Sequence, residues 1–257
     1  MTKRRKFVLV SGLLTGALVV TQAVGVEYRY QLIAALGIAS LGLSAWALKE
    51  DLRGVEWVMA LILPTVYPVS VGLFYFLLPR QWWSWALGSG LFWIGMYALL
   101  LTTNIFTVAA VRTIQLLRAA QAVGFLLTLA TAFFLFDTVL SFKLPGITNA
   151  VLVAVATGPL LAAGLWSMQL TESTIERQVW LYSGVMTALA AGMAWGISFW
   201  PVGVTVGSLF LVAMVYVGLG LTQQYLSGRL FRNTAREYLI VGLVVVVTIV
   251  MLTRWAG

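Results

Sequence analysis

Two sets of basic and amide side chains stand at spacings that would let them hold an anion. Between Asn104 and Gln121, the residues Asn104, Thr107, Gln115 and Arg118 share one face at the helical period, with Arg112 on its flank. Arg112 and Arg118 would fork onto a phosphate oriented by Gln115. The plainer reading of the same residues is a connecting amphipathic helix over 104–118, lying in a membrane interface with its arginines snorkelling to headgroups. Arg229, Arg232 and Arg236 follow at intervals of three and four, which predicts one side of a short helix after Ser227. They would receive an anionic lipid or phosphorylated ligand, or simply anchor the topology. Asp137 is the carboxylate set deepest in an apolar run, where an ionisable group is a functional hypothesis by default. It reads as a proton or cation site, or as a structural ion pair with Arg29, Arg80 or Lys143. Pro64 and Pro68, and Pro159 after Gly158, each remove an amide donor from an apolar segment. Thr65, Tyr67, Ser70 and Thr157, with Asp137, would line a transport pocket there, unless the prolines only kink their helices.

Other chemistries lack their parts. The chain has no His and no Cys, hence no imidazole base, thiolate or ordinary zinc site. Asp51 and Asp137 are its only aspartates, and no phosphate-binding P-loop pattern occurs. No catalytic residue, metal or cofactor is therefore expected, and the protein is not expected to be an enzyme.

The elements that must position these residues follow from composition. Of 257 residues 61% are hydrophobic and only 9% charged, and mean hydropathy is +0.97. A water-soluble domain carries about 25% charged residues, so this chain belongs in lipid. Spans of about 20 apolar residues are predicted at 7–25, 32–48, 55–78, 83–103, 119–141, 146–168, 179–200, 201–221 and 237–255. The seventh and eighth meet at Trp200–Pro201. The expected fold is all-α: one polytopic transmembrane bundle over 1–257, with nine spans. With the N-terminus cytoplasmic and the C-terminus outside, only Arg29, Arg80, Lys143 and Arg254 of the 16 basic residues face out. The net charge of +8 therefore points to lipid headgroups rather than nucleic acid. Lys3 to Lys6 before the first span resemble a signal peptide, but the long apolar run without an A-x-A site reads as a retained anchor. Ser173 and Glu176 have capping-box spacing before the seventh span. Within that span Gly184, Ala188, Gly192 and Gly196 form a small-residue stripe, which predicts close helix approach in the bundle centre.

The stretch TTNIFTVAAVRTIQLLRAAQAVGFLLTLATAFFLFDTVLSF, with LPTVYPVSVGLFYFLLP before it, resembles a bacterial multi-pass membrane family catalogued as a domain of unknown function. The resemblance implies a bacterial cytoplasmic (inner) membrane and assigns no residue a role. The expected function is a non-enzymatic scaffold or a subunit that binds anionic membrane lipid or other membrane subunits. The contact would run through Arg112, Gln115, Arg118, Arg229, Arg232 and Arg236. The alternative is a small-solute transporter using the proline kinks.

Overall fold

The computed structural model describes residues 2–24, 26–78, 81–108, 114–170 and 175–253. Arg80, Arg112, Ser173 and Arg254, all invoked above, lie outside them. The described chain is helical throughout: α1 (Lys3–Ala23), α2 (Arg29–Leu48), α3 (Glu56–Tyr75), α4 (Trp82–Thr107), α5 (Ile114–Ser141), α6 (Gly146–Trp166), α7 (Arg177–Ile197), α8 (Val204–Leu226) and α9 (Arg232–Leu252). Eight of these are long and apolar enough to cross a membrane. The exception is α7, whose 21 residues include Arg177, Gln178, Tyr182, Ser183 and three glycines.

The chain forms two compact units, residues 1–131 with 170–174, and residues 132–169 with 175–257. In the first, α1 packs on α2, α3 and α4. Its Phe7, Val10, Leu14 and Leu18 are at most 1% exposed, so α1 contributes to the core of this unit. In the second unit α6 and α7 make the most extensive contact, and α9 packs on α8. Asn149 in the first turn of α6 donates to Ser198 just beyond α7, at 3.0 Å. Gln223 late in α8 donates to the Gly164 carbonyl late in α6, at 2.9 Å. Thus α7 runs antiparallel to α6, and α8 runs parallel to it.

Several boundaries move. The single interfacial helix expected over 104–118 does not form. Asn104 to Thr107 are the last turn of α4, with Asn104 buried, and Gln115 and Arg118 belong to the first turns of α5. Ile105 and Phe106 continue the apolar run of α4, so its helix continues with them. The Trp200–Pro201 junction lies in the connection between α7 and α8, as expected. α7 starts at Arg177, with Glu176 as its N-cap and no side-chain capping bond. The Glu176 carboxylate accepts from Gln169 Nε2 at 2.7 Å, and Ser173, the other half of the expected capping box, lies outside the described residues. Arg29 is the first residue of α2 rather than a loop residue, and its guanidinium lies 4.9 Å from the Phe76 ring centroid. The glycine stripe of α7 also faces the other way. A Cβ at Gly184, Gly192 or Gly196 would meet nothing within 4 Å, and the face that packs is Val179, Ser183, Ala190, Ala194 and Ile197.

Candidate functional site

Arg229, Arg232 and Arg236 do not share one helix. α8 closes at Gly228, whose φ of +67° suits glycine. The amides of Gly228 and Arg229 return to the carbonyls of Tyr225 and Gln224, at 3.0 and 2.9 Å. This paired C-terminal closure satisfies α8 and leaves Arg229 in the connection. Arg232 opens α9 and Arg236 stands one turn on, because α9 begins five residues before the apolar run that was read as the span. Both are exposed. The described ion pairs are Lys3–Asp51 and Lys6–Glu50, so these arginines form no ion pair with a described carboxylate, Glu237 beside Arg236 included.

Below them the helix face turns apolar. Arg232, Ala235, Arg236, Leu239, Ile240 and Leu243 line a shallow groove of about 370 Å³. Leu239 and Leu243 remain 60% and 65% exposed, and Ile249 is the one buried side chain of α9. Two guanidiniums followed by two turns of bare aliphatic surface match a phosphate joined to an acyl chain.

Gln115 and Arg118 are also exposed, on the first turns of α5 in the first unit. The expected anion-binding set is therefore divided between the two units, with Arg112 outside the described residues.

The residues of the expected transport pocket are divided in the same way. Pro64, Thr65, Tyr67, Pro68 and Ser70 belong to the first unit, and Asp137, Thr157 and Pro159 to the second. Pro68 lacks the amide that would bond the Pro64 carbonyl, and Ser40 Oγ of α2 donates to that carbonyl at 2.7 Å instead. Ser70 and Thr157 donate to the carbonyls of Tyr67 and Val153 on their own helices, at 2.7 and 2.6 Å. Tyr67 is buried and stacks on Phe92 with centroids 5.5 Å apart. Thr65 keeps a buried hydroxyl without a hydrogen-bond partner, and Pro159 is exposed.

Asp137 is 5% exposed and accepts from Ser208 Oγ at 2.8 Å. It makes no ion pair with Lys143 among the described residues, and Arg80, another partner of the ion-pair reading, lies outside them. Ser208 carries no charge and was not singled out from the sequence. The only signal would have been a lone hydroxyl one turn inside an apolar helix.

A second polar cluster was also missed. Lys3 Nζ donates to both carboxylate oxygens of Asp51 at 2.7 Å, and Lys6 Nζ donates to Glu50 at 2.6 Å. Lys6 also sits 5.5 Å from the Trp46 ring centroid. Its hydrogen bond and charge hold the Glu50 carboxyl below the usual carboxylate range. These contacts tie the start of α1 to the turn between α2 and α3.

No curated protein and no solved structure matches the chain significantly. A family model does match, over residues 7–252, in keeping with the resemblance noted for the 101–142 stretch. The chain therefore belongs to the family described as "Protein of unknown function (DUF5656)".

Proposed function

We propose that this is a non-enzymatic, multi-pass protein of a bacterial cytoplasmic membrane, and that the start of α9 holds an anionic phospholipid. The observation that carries this reading is the groove running from Arg232 and Arg236 to Leu243. Its charged end suits a phosphate, and its aliphatic end suits the chain below it. The proposed topology has nine crossings, with the N-terminus cytoplasmic and the C-terminus outside. What supports it is that α7 runs antiparallel to α6 and α8 parallel to it, with α6 and α7 each 21 residues long. In that topology the groove opens in the cytoplasmic leaflet, where anionic headgroups concentrate.

The test is native mass spectrometry of the full chain released from nanodiscs containing phosphatidylglycerol and phosphatidylcholine. The wild type should retain phosphatidylglycerol preferentially. The Arg232→Ala/Arg236→Ala variant should lose roughly ten- to thirtyfold of that preference, at about 1 kcal/mol per arginine. Equal retention by variant and wild type, or a dimer that occupies the groove in place of lipid, would sink the reading.

A further inference from the structure

The opposite end of the second unit carries a cavity of about 210 Å³, lined among others by Lys143, Leu144, Asn149, Ser198, Gly203 and Gly207. It lies the length of α8 away from Arg232, so it is separate from the lipid groove. Three features converge on it. The starts of α6 and α8 both border it, and their N-caps are Pro145 and Gly203, which make no side-chain capping bond. Helix starts left in this state present unpaired amides and a partial positive charge. Lys143, an exposed residue of the cavity lining, stands two residues beyond α5 with a left-handed backbone, φ +50°, and brings an ammonium group within reach of it.

The third feature is independent of the first two. Asn149 is 3% exposed, and its Nδ2 donates to the Leu144 carbonyl and to Ser198 Oγ at 3.1 and 3.0 Å. Those two bonds fix the amide's orientation, and its Oδ1 is left buried with no partner. Asn149 belongs to the lining of this cavity, and its bare acceptor at the wall calls for a donor on the ligand itself.

We infer that this cavity binds a phosphoryl group that carries its own hydrogen-bond donor. Lys143 and the two helix starts take the anionic oxygens, and Asn149 Oδ1 takes the donor. Protonated inorganic phosphate has that chemistry, and so does a phosphoethanolamine lipid headgroup. Sulfate and phosphocholine do not, because neither bears an O–H or N–H at neutral pH.

The experiment uses the purified full chain and its Lys143→Gly variant, since glycine accepts the left-handed backbone while the whole side chain, ammonium group included, is removed. Thermal unfolding is followed against inorganic phosphate and sulfate at matched ionic strength. Lipid retention is followed with phosphatidylethanolamine and phosphatidylcholine nanodiscs. Stabilisation by phosphate over sulfate, weakened roughly tenfold or more in Lys143→Gly, assigns the site to free phosphate. Retention of phosphatidylethanolamine over phosphatidylcholine, lost in Lys143→Gly, assigns it to the headgroup. In either case Asn149→Ala should abolish the discrimination while weaker anion binding persists. Equal responses to phosphate and sulfate together with equal retention of both lipids overturn the proposal, as does an unchanged Lys143→Gly variant.

Discussion

Ser208 Oγ donates to Asp137 Oδ1 across 2.8 Å, joining α5 to α8 at a point where both residues are at most 5% exposed. The same hydroxyl lies within reach of the Val204 and Thr205 carbonyls, at 3.1 and 3.0 Å, so its single proton is directed among three acceptors. Ser208→Ala leaves the carboxyl group without this donor and should cost about 1–3 kcal/mol. Asp137→Asn keeps an acceptor in place and should cost less than Asp137→Ala. Thermal unfolding in detergent ranks the three variants; an Asp137→Ala variant as stable as wild type would show that the link contributes nothing.

Ser40 replaces the amide that Pro68 cannot supply to the Pro64 carbonyl. Ser40→Ala should therefore lose about 1 kcal/mol or more. Pro68→Ala restores a donor one turn along the same helix. In the Pro68→Ala background the Ser40 substitution should be close to neutral, and a double-mutant cycle measures that difference. Additive costs would contradict this account of the proline.

The Glu50 carboxyl is held below its ordinary value of 4.5 by Lys6, first through the hydrogen bond and then through charge. A carboxyl lowered in the folded state adds stability that is fully present above its unfolded pKa and is lost as pH falls through the folded one. Unfolding followed downward from pH 5 should thus show an acid-dependent, salt-sensitive loss that Glu50→Gln lacks. Matching acid profiles for the two proteins would remove Glu50 from the effect.

Glycines on different faces should respond in opposite directions. A Cβ at Gly220 would fall on the Tyr238 ring, and one at Gly95 on the Tyr67 hydroxyl. Alanine at either position should destabilise by about 1–3 kcal/mol through overpacking. Alanine at Gly184 or Gly192 meets open space and should gain up to about 1 kcal/mol of helix propensity. Destabilisation at Gly184 or Gly192 would indicate a neighbour on that face.

These contrasts mark what the sequence made legible. Helix existence was readable because apolar runs of span length, broken at Lys49 to Gly54 or Lys143 to Gly146, leave few alternatives in lipid. Which face of α7 turns inward was not, because lipid and bundle interior are equally apolar and the stripe at Gly184, Gly192 and Gly196 has no polar side to betray it. The arginines at Arg232 and Arg236 were placed on one face correctly, whereas Arg229 was not. Its exclusion depends on the left-handed turn at Gly228, which spacing alone does not encode. Asp137 stood out by its charge, but its partner Ser208 is an ordinary hydroxyl on an element 71 positions away.

Lys3 and Lys6 serve twice, at different moments. In the proposed topology they count as cations during insertion and favour keeping the N-terminus on the cytoplasmic side. Once α1 lies against α2, Asp51 and Glu50 cancel both of them. In the folded protein those two cations are therefore spent on internal pairs, and the unneutralised charge at that end rests on Arg4 and Arg5, which make no ion pair among the described residues.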